Sequence, residues 1–439
     1  MKSNDPIEVT VDTVAEDGCA YTADGRHAVF GALPGEKVIA VPVARKRKRL
    51  YLRTTEVLAS SSHRVTPMCK AASFCGGCSF QHASHAYQLE LKQAQVQQKF
   101  GQITPREWME PISAPSYGYR TKARLGVKYV DKKGRVLVGF REKMKPYITD
   151  IENCPILVDP VSSLIEPLIE LISGLSKPRT IPQIEVACGD SDVALIFRHM
   201  AAMSDEDMQK LQSFGHEQSV QMFLQPEGLD STHKIFPQDN DDLLHYRLPD
   251  YGLVFQFSPQ DFTQVNLAVN RQMVARAVAL LDIDPSDEVF DAFCGIGNFS
   301  LAISRFAKKV TGAEQSASSI ARARENARLN GVENVSFVVE DLQLETSEIN
   351  GLEGVNKVLL DPPRSGAEAM VKRLASSNVV RVVYVSCNPE TLARDIGILE
   401  NQGFELRSAG IIDMFPHTTH VESMALLVRQ GLPTKPLNT

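Results

Sequence analysis

No apolar run in the 439-residue chain approaches the roughly 20 residues that a membrane-spanning helix needs. The opening stretch, Met1 to Thr10, is polar and lacks the apolar core of a secretory signal, so a cytoplasmic protein is expected. In that compartment the eight cysteines are not read as disulfides. Internal repeats and low-complexity tracts are absent as well. What remains, 43% hydrophobic and 23% charged residues, is the composition of a globular protein, and the length predicts two or three domains.

A net charge of −6, from 53 acidic and 47 basic residues, argues by itself against a nucleic-acid partner. The distribution argues the other way. Residues 44–53 (ARKRKRLYLR) concentrate six positive charges in ten positions, a run suited to phosphate contacts. It lies among short strand candidates, Ile7–Val11, Cys19–Tyr21, Ala28–Phe30, Lys37–Val43 and Leu50–Leu58, separated by Asp-Gly and Pro-Gly turns. That rhythm predicts a small barrel of the OB type, a common platform for oligonucleotides. From about residue 100 to 255 the pattern is one of hairpins around a helical stretch, Val161–Leu175, which predicts an α+β domain on an antiparallel sheet. Beyond residue 256, strand candidates alternate with helical segments: Val289–Phe293, Lys309–Ala313, Val335–Glu340, Lys357–Leu360 and Val382–Val385. This alternation predicts a mostly parallel, doubly wound α/β sheet. The expected division is therefore 1–62, 63–255 and 256–439.

In such sheets ligands bind outside the carboxyl ends of the strands. The segment Asp291-Ala292-Phe293-Cys294-Gly295-Ile296-Gly297-Asn298 follows the first strand and opens a helix. It lacks both the third glycine of a dinucleotide fingerprint and the Lys-Ser/Thr of a phosphate loop. Glu314 ends the next strand, where an acidic residue meets a ribose, and Asp341 ends the third, where an adenine edge would lie. Together these favour S-adenosylmethionine over NAD.

Two further strands end in reactive chemistry, Asp361-Pro362-Pro363-Arg364 and Ser386-Cys387-Asn388-Pro389. A thiol beside a methyl donor suits C5 of uracil, a carbon too weakly nucleophilic to attack a sulfonium unaided. Addition of a thiolate to C6 activates C5, and a base must then remove the C5 proton. Cys387 fits the nucleophile, provided the site favours its thiolate. Glu422 is the best candidate base, with His417 and His420 as rivals.

These motifs, with His420-Val421-Glu422 and the segment Ser258–Asn266, resemble those of the RNA uracil-C5 methyltransferases in content and order. The resemblance implies Cys387 as nucleophile and Glu422 as base. It implies Gln264, Phe293, Asn298, Glu314, Asp341 and Asp361 around the cofactor and the base, with Asp361 on either one. It also implies that the N-terminal barrel is a TRAM domain.

Cys69, Cys75 and Cys78 form a C-x5-C-x2-C pattern, more often a metal site than not in a cytosolic protein. Cys154, followed by proline, is the best fourth ligand. Zinc would use four thiolates equally well, and His63, His82 or His85 could replace one. Similarity to the rRNA branch of the family implies a [4Fe–4S] cluster and a 23S rRNA substrate rather than tRNA. No DNA or membrane partner is expected, and nothing in the sequence suggests more than a monomer. Cys19, Cys188 and Cys294 are expected to be small buried residues.

Overall fold

The computed structural model describes residues 5–238, 241–344 and 351–431. They form two compact units. The first takes in the chain up to Leu91, Pro115–Asp242 and Phe415–Thr419; the second takes in Lys92–Ala114, Leu243–Met414 and the chain from His420.

The first unit contains two six-stranded sheets. The N-terminal one is built around a long antiparallel hairpin, Lys37–Lys46 with Arg49–Ala59, whose pairing is interrupted by three register shifts. Such irregularities bend and twist a ribbon. The basic run forms the tip of this hairpin: Arg45, Lys46, Arg47 and Lys48 are exposed, and Arg47 has a positive φ of 55°. At the other end of the hairpin, just before Lys37, the carboxylate of Glu36 is fully buried. Burial opposes its ionisation, but both Arg64 contacts at 2.6 Å and the N–H groups of Ser61 and Leu33 hold its pKa below the usual carboxylate range.

The second sheet contains the two expected hairpins, Lys122–Val130 with Arg135–Gly139 and Gln183–Cys188 with Val193–Arg198. It is not wholly antiparallel, however. Val193–Arg198 pairs in parallel with Gln221–Gln225. A parallel pair needs a crossover, and helix Asp205–Gln218 supplies it. Ser204 caps that helix by accepting from the N–H of Asp207, and three acidic residues occupy its first turn.

The second unit is organised on an eight-stranded sheet. In chain order its strands are β1 (Glu107–Trp108), β2 (Glu288–Ala292), β3 (Lys309–Glu314), β4 (Val335–Val339), β5 (Lys357–Leu360), β6 (Arg381–Ser386), β7 (Phe404–Ile412) and β8 (Glu422–Arg429). Across the sheet they run β4-β3-β2-β5-β6-β8-β7-β1. Strands β2 to β6 are parallel, as the alternation of strands and helices predicts, and every residue of β5 and β6 is buried. β8 is antiparallel to both β6 and β7. The chain steps outward in both directions from β2 and β5, so the crevice at their carboxyl ends is the topological switch point.

Gly312 of β3 lies under the ring of Phe337. A Cβ at that position would stand 2.7 Å from the ring and 3.0 Å from the sulfur of Cys294. Gly312→Ala should therefore lower the unfolding free energy by about 1–3 kcal/mol in urea melts. Gly397, on helix Pro389–Asn401 with open space around its Cβ position, provides the control. Gly397→Ala should be neutral or stabilising by up to about 1 kcal/mol.

Candidate active site

The register of β6 with β8 builds the site. Ser386 pairs with Ser423, so the next residue of one strand, Cys387, and the preceding residue of the other, Glu422, lie at the same end of the ladder, close enough to interact electrostatically. Cys387 then leads directly into helix Pro389–Asn401, whose N-cap is Asn388. The loop carrying Asp361 and Arg364 is tied to the same place. The Asn388 amide and the Thr391 hydroxyl both donate to the Arg364 carbonyl, at 3.0 and 3.4 Å, and the Asp361 N–H donates to the Ala292 carbonyl at 3.3 Å. Three strand ends thus converge on one thiol and two carboxylates.

Their electrostatics are unusual. Burial raises the pKa of Glu422 to about 7, opposed by the positive charge of Lys92. Glu422 is only 6% exposed, and its Oε2 has no hydrogen-bond partner among the described residues. Asp361 is held well above the usual carboxylate range by desolvation, then by the charges of Glu422 and Asp291. Asp291, at the end of β2, is fully buried and raised to about 7 by desolvation; Ser300 donates to its Oδ2 at 2.5 Å. The Cys387 thiol is likewise raised, first by burial and then by Glu422 and Asp361. The expectation of a site that favours thiolate is therefore not met by the carboxylates facing the sulfur. Arg364 pulls towards the thiolate, and so does the adjoining helix N-terminus.

After β2 the backbone makes a cradle. Phe293, Gly295 and Gly297 have φ of 65°, 54° and 91°, and a Cβ at Gly295 would meet nothing within 4 Å. Glu314 is half-buried at the end of β3, its Oε1 accepting the Ser316 N–H at 2.9 Å. Asp341 follows β4 and accepts from Gln315 and from the Gln343 N–H. Open backbone beside two strand-end carboxylates suits an adenosine carrying a charged tail. Asn298 differs from the others. Its amide exchanges hydrogen bonds with buried Asn270 at 2.9 and 3.1 Å and accepts from the Tyr246 hydroxyl at 2.9 Å, so its side chain is engaged within the fold. Gln264 is half-buried in the loop before helix Leu267–Leu281.

Of the rival bases, His417 belongs to the first unit. There its Nδ1 bonds the Gln88 amide at 3.1 Å and its ring lies 4.4 Å from Tyr117. His420 is exposed.

In the first unit Cys75, Cys78 and Cys154 are buried in one core cluster, with Cys69 packed against it. The four thiols sense one another electrostatically. Burial pushes Cys78 up to about 11 and Cys154 up to about 12. Every one of these sulfurs also receives an N–H: from Ala71 and Ala72 at Cys69, Gly77 at Cys75, Gln81 at Cys78 and Ile156 at Cys154. The Lys143 ammonium donates to the carbonyls of Ala72 and Cys75, both at 2.7 Å. Among the described residues no three His, Cys, Asp or Glu side chains stand close enough to hold one metal ion. His63 stacks on Tyr87, with ring centres 4.0 Å apart, and His82 contacts the Ala32 carbonyl. Cys19, Cys188 and Cys294 are buried, as expected.

Sequence reasoning missed Lys92 and Asp413. Lys92 is 1% exposed and Asp413 is fully buried, and they meet at 2.5 Å. They are 321 residues apart, and no local spacing links them. Asp291 could have been found, since it ends a strand immediately before the glycine loop.

Residues 84–430 match the model of the tRNA (Uracil-5-)-methyltransferase family. The 23S rRNA (uracil(1939)-C(5))-methyltransferase RlmD of Hahella chejuensis is 44% identical over 430 residues, covering 96% of each chain. The protein of the same name from Methylococcus capsulatus is 44% identical over 433 residues, covering 97% of each. Among solved structures, the Pyrococcus abyssi tRNA (uracil-54, C5)-methyltransferase, in complex with S-adenosyl-L-homocysteine, is 25% identical with a TM-score of 0.75. That match covers 96% of this chain and 99% of that one.

Glu422 binds its proton more tightly when folded, at about 7 against an ordinary 4.5. Between those values the native state holds the extra proton, so this group's contribution to stability falls as pH rises and is lost above about 7. Glu422→Gln should therefore match the parent near pH 5 and exceed it by roughly 2–3 kcal/mol at pH 8 in urea unfolding.

Proposed function

The chain belongs to the tRNA (uracil-5-)-methyltransferase family, and on that premise we propose that it methylates C5 of uracil 1939 in 23S rRNA. Identity of 44% along the full length of the rRNA enzymes, against 25% to the tRNA enzyme, supports the ribosomal target. S-adenosylmethionine, when bound, supplies the methyl group as an electrophile. The observation that supports the mechanism is the ladder pair Ser386–Ser423, which brings the neighbouring residues Cys387 and Glu422 to the same end of β6 and β8.

Cys387 attacks C6 of the uracil, and the electron pair of the C5–C6 bond moves towards O4. C5 then takes the methyl group and becomes tetrahedral. Glu422 removes the C5 proton, C5=C6 re-forms, and the Cys387 thiolate is expelled. A carboxyl titrating near 7 suits that transfer, because a base is most effective when its pKa lies near the working pH. Phe293, Gly295 and Gly297 offer the close backbone approach, Glu314 the ribose contact and Asp341 the adenine edge. Gln264 and the main chain at Asn298 complete the cofactor side. Asp361, which takes up a proton readily, is suited to donate to an acceptor on the uracil or the cofactor. A target inside folded RNA must be flipped out for Cys387 to reach it.

Cys69, Cys75, Cys78 and Cys154 would hold a [4Fe–4S] cluster. The four thiols share one core cluster and each is given an N–H donor, which suits the ligands of such a centre. The cluster would order the surrounding loops and take no part in methyl transfer. Residues 1–62 serve as an RNA-binding barrel of the TRAM type, with the exposed basic hairpin tip as its phosphate contact. Residues 63–255 form the cluster-bearing part and 256–439 the catalytic domain. The enzyme acts as a monomer in the cytoplasm.

Cys387→Ala should abolish both methyl transfer and covalent RNA capture while still binding S-adenosylmethionine; wild-type transfer by this variant would end the mechanism. Glu422→Gln should accumulate a methylated protein–RNA adduct on denaturing gels, and normal turnover without adduct would remove Glu422 as the base. Anaerobic purification should yield about four irons per chain, and replacing Cys154 with Ser should lower that number; a colourless zinc protein would refute the cluster.

A further inference from the structure

Taking a proton from C5 requires Glu422 to be ionised, yet its burial resists ionisation. Glu422 begins β8, and its cross-strand partner is Ile412, the last residue of β7. The next residue, Asp413, is fully buried and receives the Lys92 ammonium at 2.5 Å. Lys92 projects from helix His85–Phe100, a largely polar helix in which a 1% exposed lysine needs a reason. Glu422 in turn acts on Asp361 at the end of β5 and on Cys387 at the end of β6, and neither of these brings positive charge. With Oε2 of Glu422 lacking a hydrogen-bond partner among the described residues, Lys92 is the cation that acts on this carboxylate.

We propose that Lys92, anchored by Asp413, is a positioning residue that provides the charge under Glu422, letting the base form its carboxylate after methyl transfer and release the RNA. Asp413 has two effects. Its contact keeps the buried lysine protonated despite desolvation, and it fixes the ammonium beside the first residue of β8. A purely architectural pair would pin helix to sheet equally well with any well-packed neutral residues, since replacing a buried ion pair in that way is often close to neutral for stability. The proposal rests on the reading of Glu422 as the base.

The test uses the full chain, S-adenosylmethionine and a 23S rRNA fragment carrying the target, under single-turnover conditions. Release of methylated RNA from the covalent adduct is followed against pH. Lys92→Met combined with Asp413→Asn should move the acid limb of release upward by about one pH unit or more, slowing release about tenfold below it. Methylated adduct should accumulate, while affinity for S-adenosylhomocysteine stays within about twofold of wild type. Lys92→Arg should keep the wild-type limb. An unmoved limb in the double variant with normal S-adenosylhomocysteine affinity would overturn the proposal, as would a limb that shifts equally in Lys92→Arg. Lys92→Gln is judged by the same limb if the double variant fails to bind S-adenosylhomocysteine. Normal turnover by Glu422→Gln would sink the base assignment and this inference with it. A stalled Glu422→Gln beside an unmoved Lys92 limb would sink the inference alone.

Discussion

The antiparallel pairing of β8 between β6 and β7 is the constraint on which the catalytic arrangement depends. A wholly parallel sheet would end every strand in a loop that must then find its own way back to the crevice. Here the strand entering β8 begins where β6 finishes, and the ladder from Arg381↔Val428 to Ser386↔Ser423 sets the position of Glu422 relative to Cys387. A slip of one residue would turn the carboxylate to the opposite face. Because β6 and β8 are buried almost throughout, such a slip would also expose apolar side chains, so the same hydrophobic energy that fixes the sheet fixes the chemistry.

That rigidity comes with an electrostatic cost that the site turns to use. Asp291, Asp361 and Glu422 are gathered at the ends of neighbouring strands, and desolvation raises all three. Carboxyls that hold protons near neutrality can give and take them during a reaction, which ordinary surface carboxylates cannot do effectively. The opposing charge is sparse and specific: Arg364 acts on the thiol, and Lys92 on the carboxylate. The first unit solves its buried-charge problem differently. Glu36 there is satisfied completely by Arg64 and two N–H groups, and its pKa falls instead of rising. A structural carboxylate is saturated with donors, whereas one oxygen of the candidate base, Oε2 of Glu422, has none among the described residues.

Much of this was legible in the linear sequence. The strand–helix alternation after residue 256 gave the parallel strands nearly to the residue, because buried parallel strands are short apolar runs bounded by polar and proline residues. Cys387, Asp361 and Glu314 were visible as reactive groups at strand ends. The second sheet was misjudged as wholly antiparallel, because a parallel pair depends on what helix Asp205–Gln218 packs against. The demand for a thiolate-favouring site also failed to anticipate two carboxylates facing the sulfur.

The sequence by itself therefore determined the alternation of elements, the residues placed at strand ends and the family to which the motifs point. Those features are local: they follow from periodicity, turn chemistry and short motifs. Tertiary structure alone decided which strand ends meet, that His417 is bound to Gln88 in the first unit, and that Lys92 and Asp413 close over 321 residues beside Glu422. Protonation behaviour belongs to that second class. A carboxylate's affinity for its proton depends on the water it loses and the charges it gains on folding, and neither is written in its neighbours along the chain.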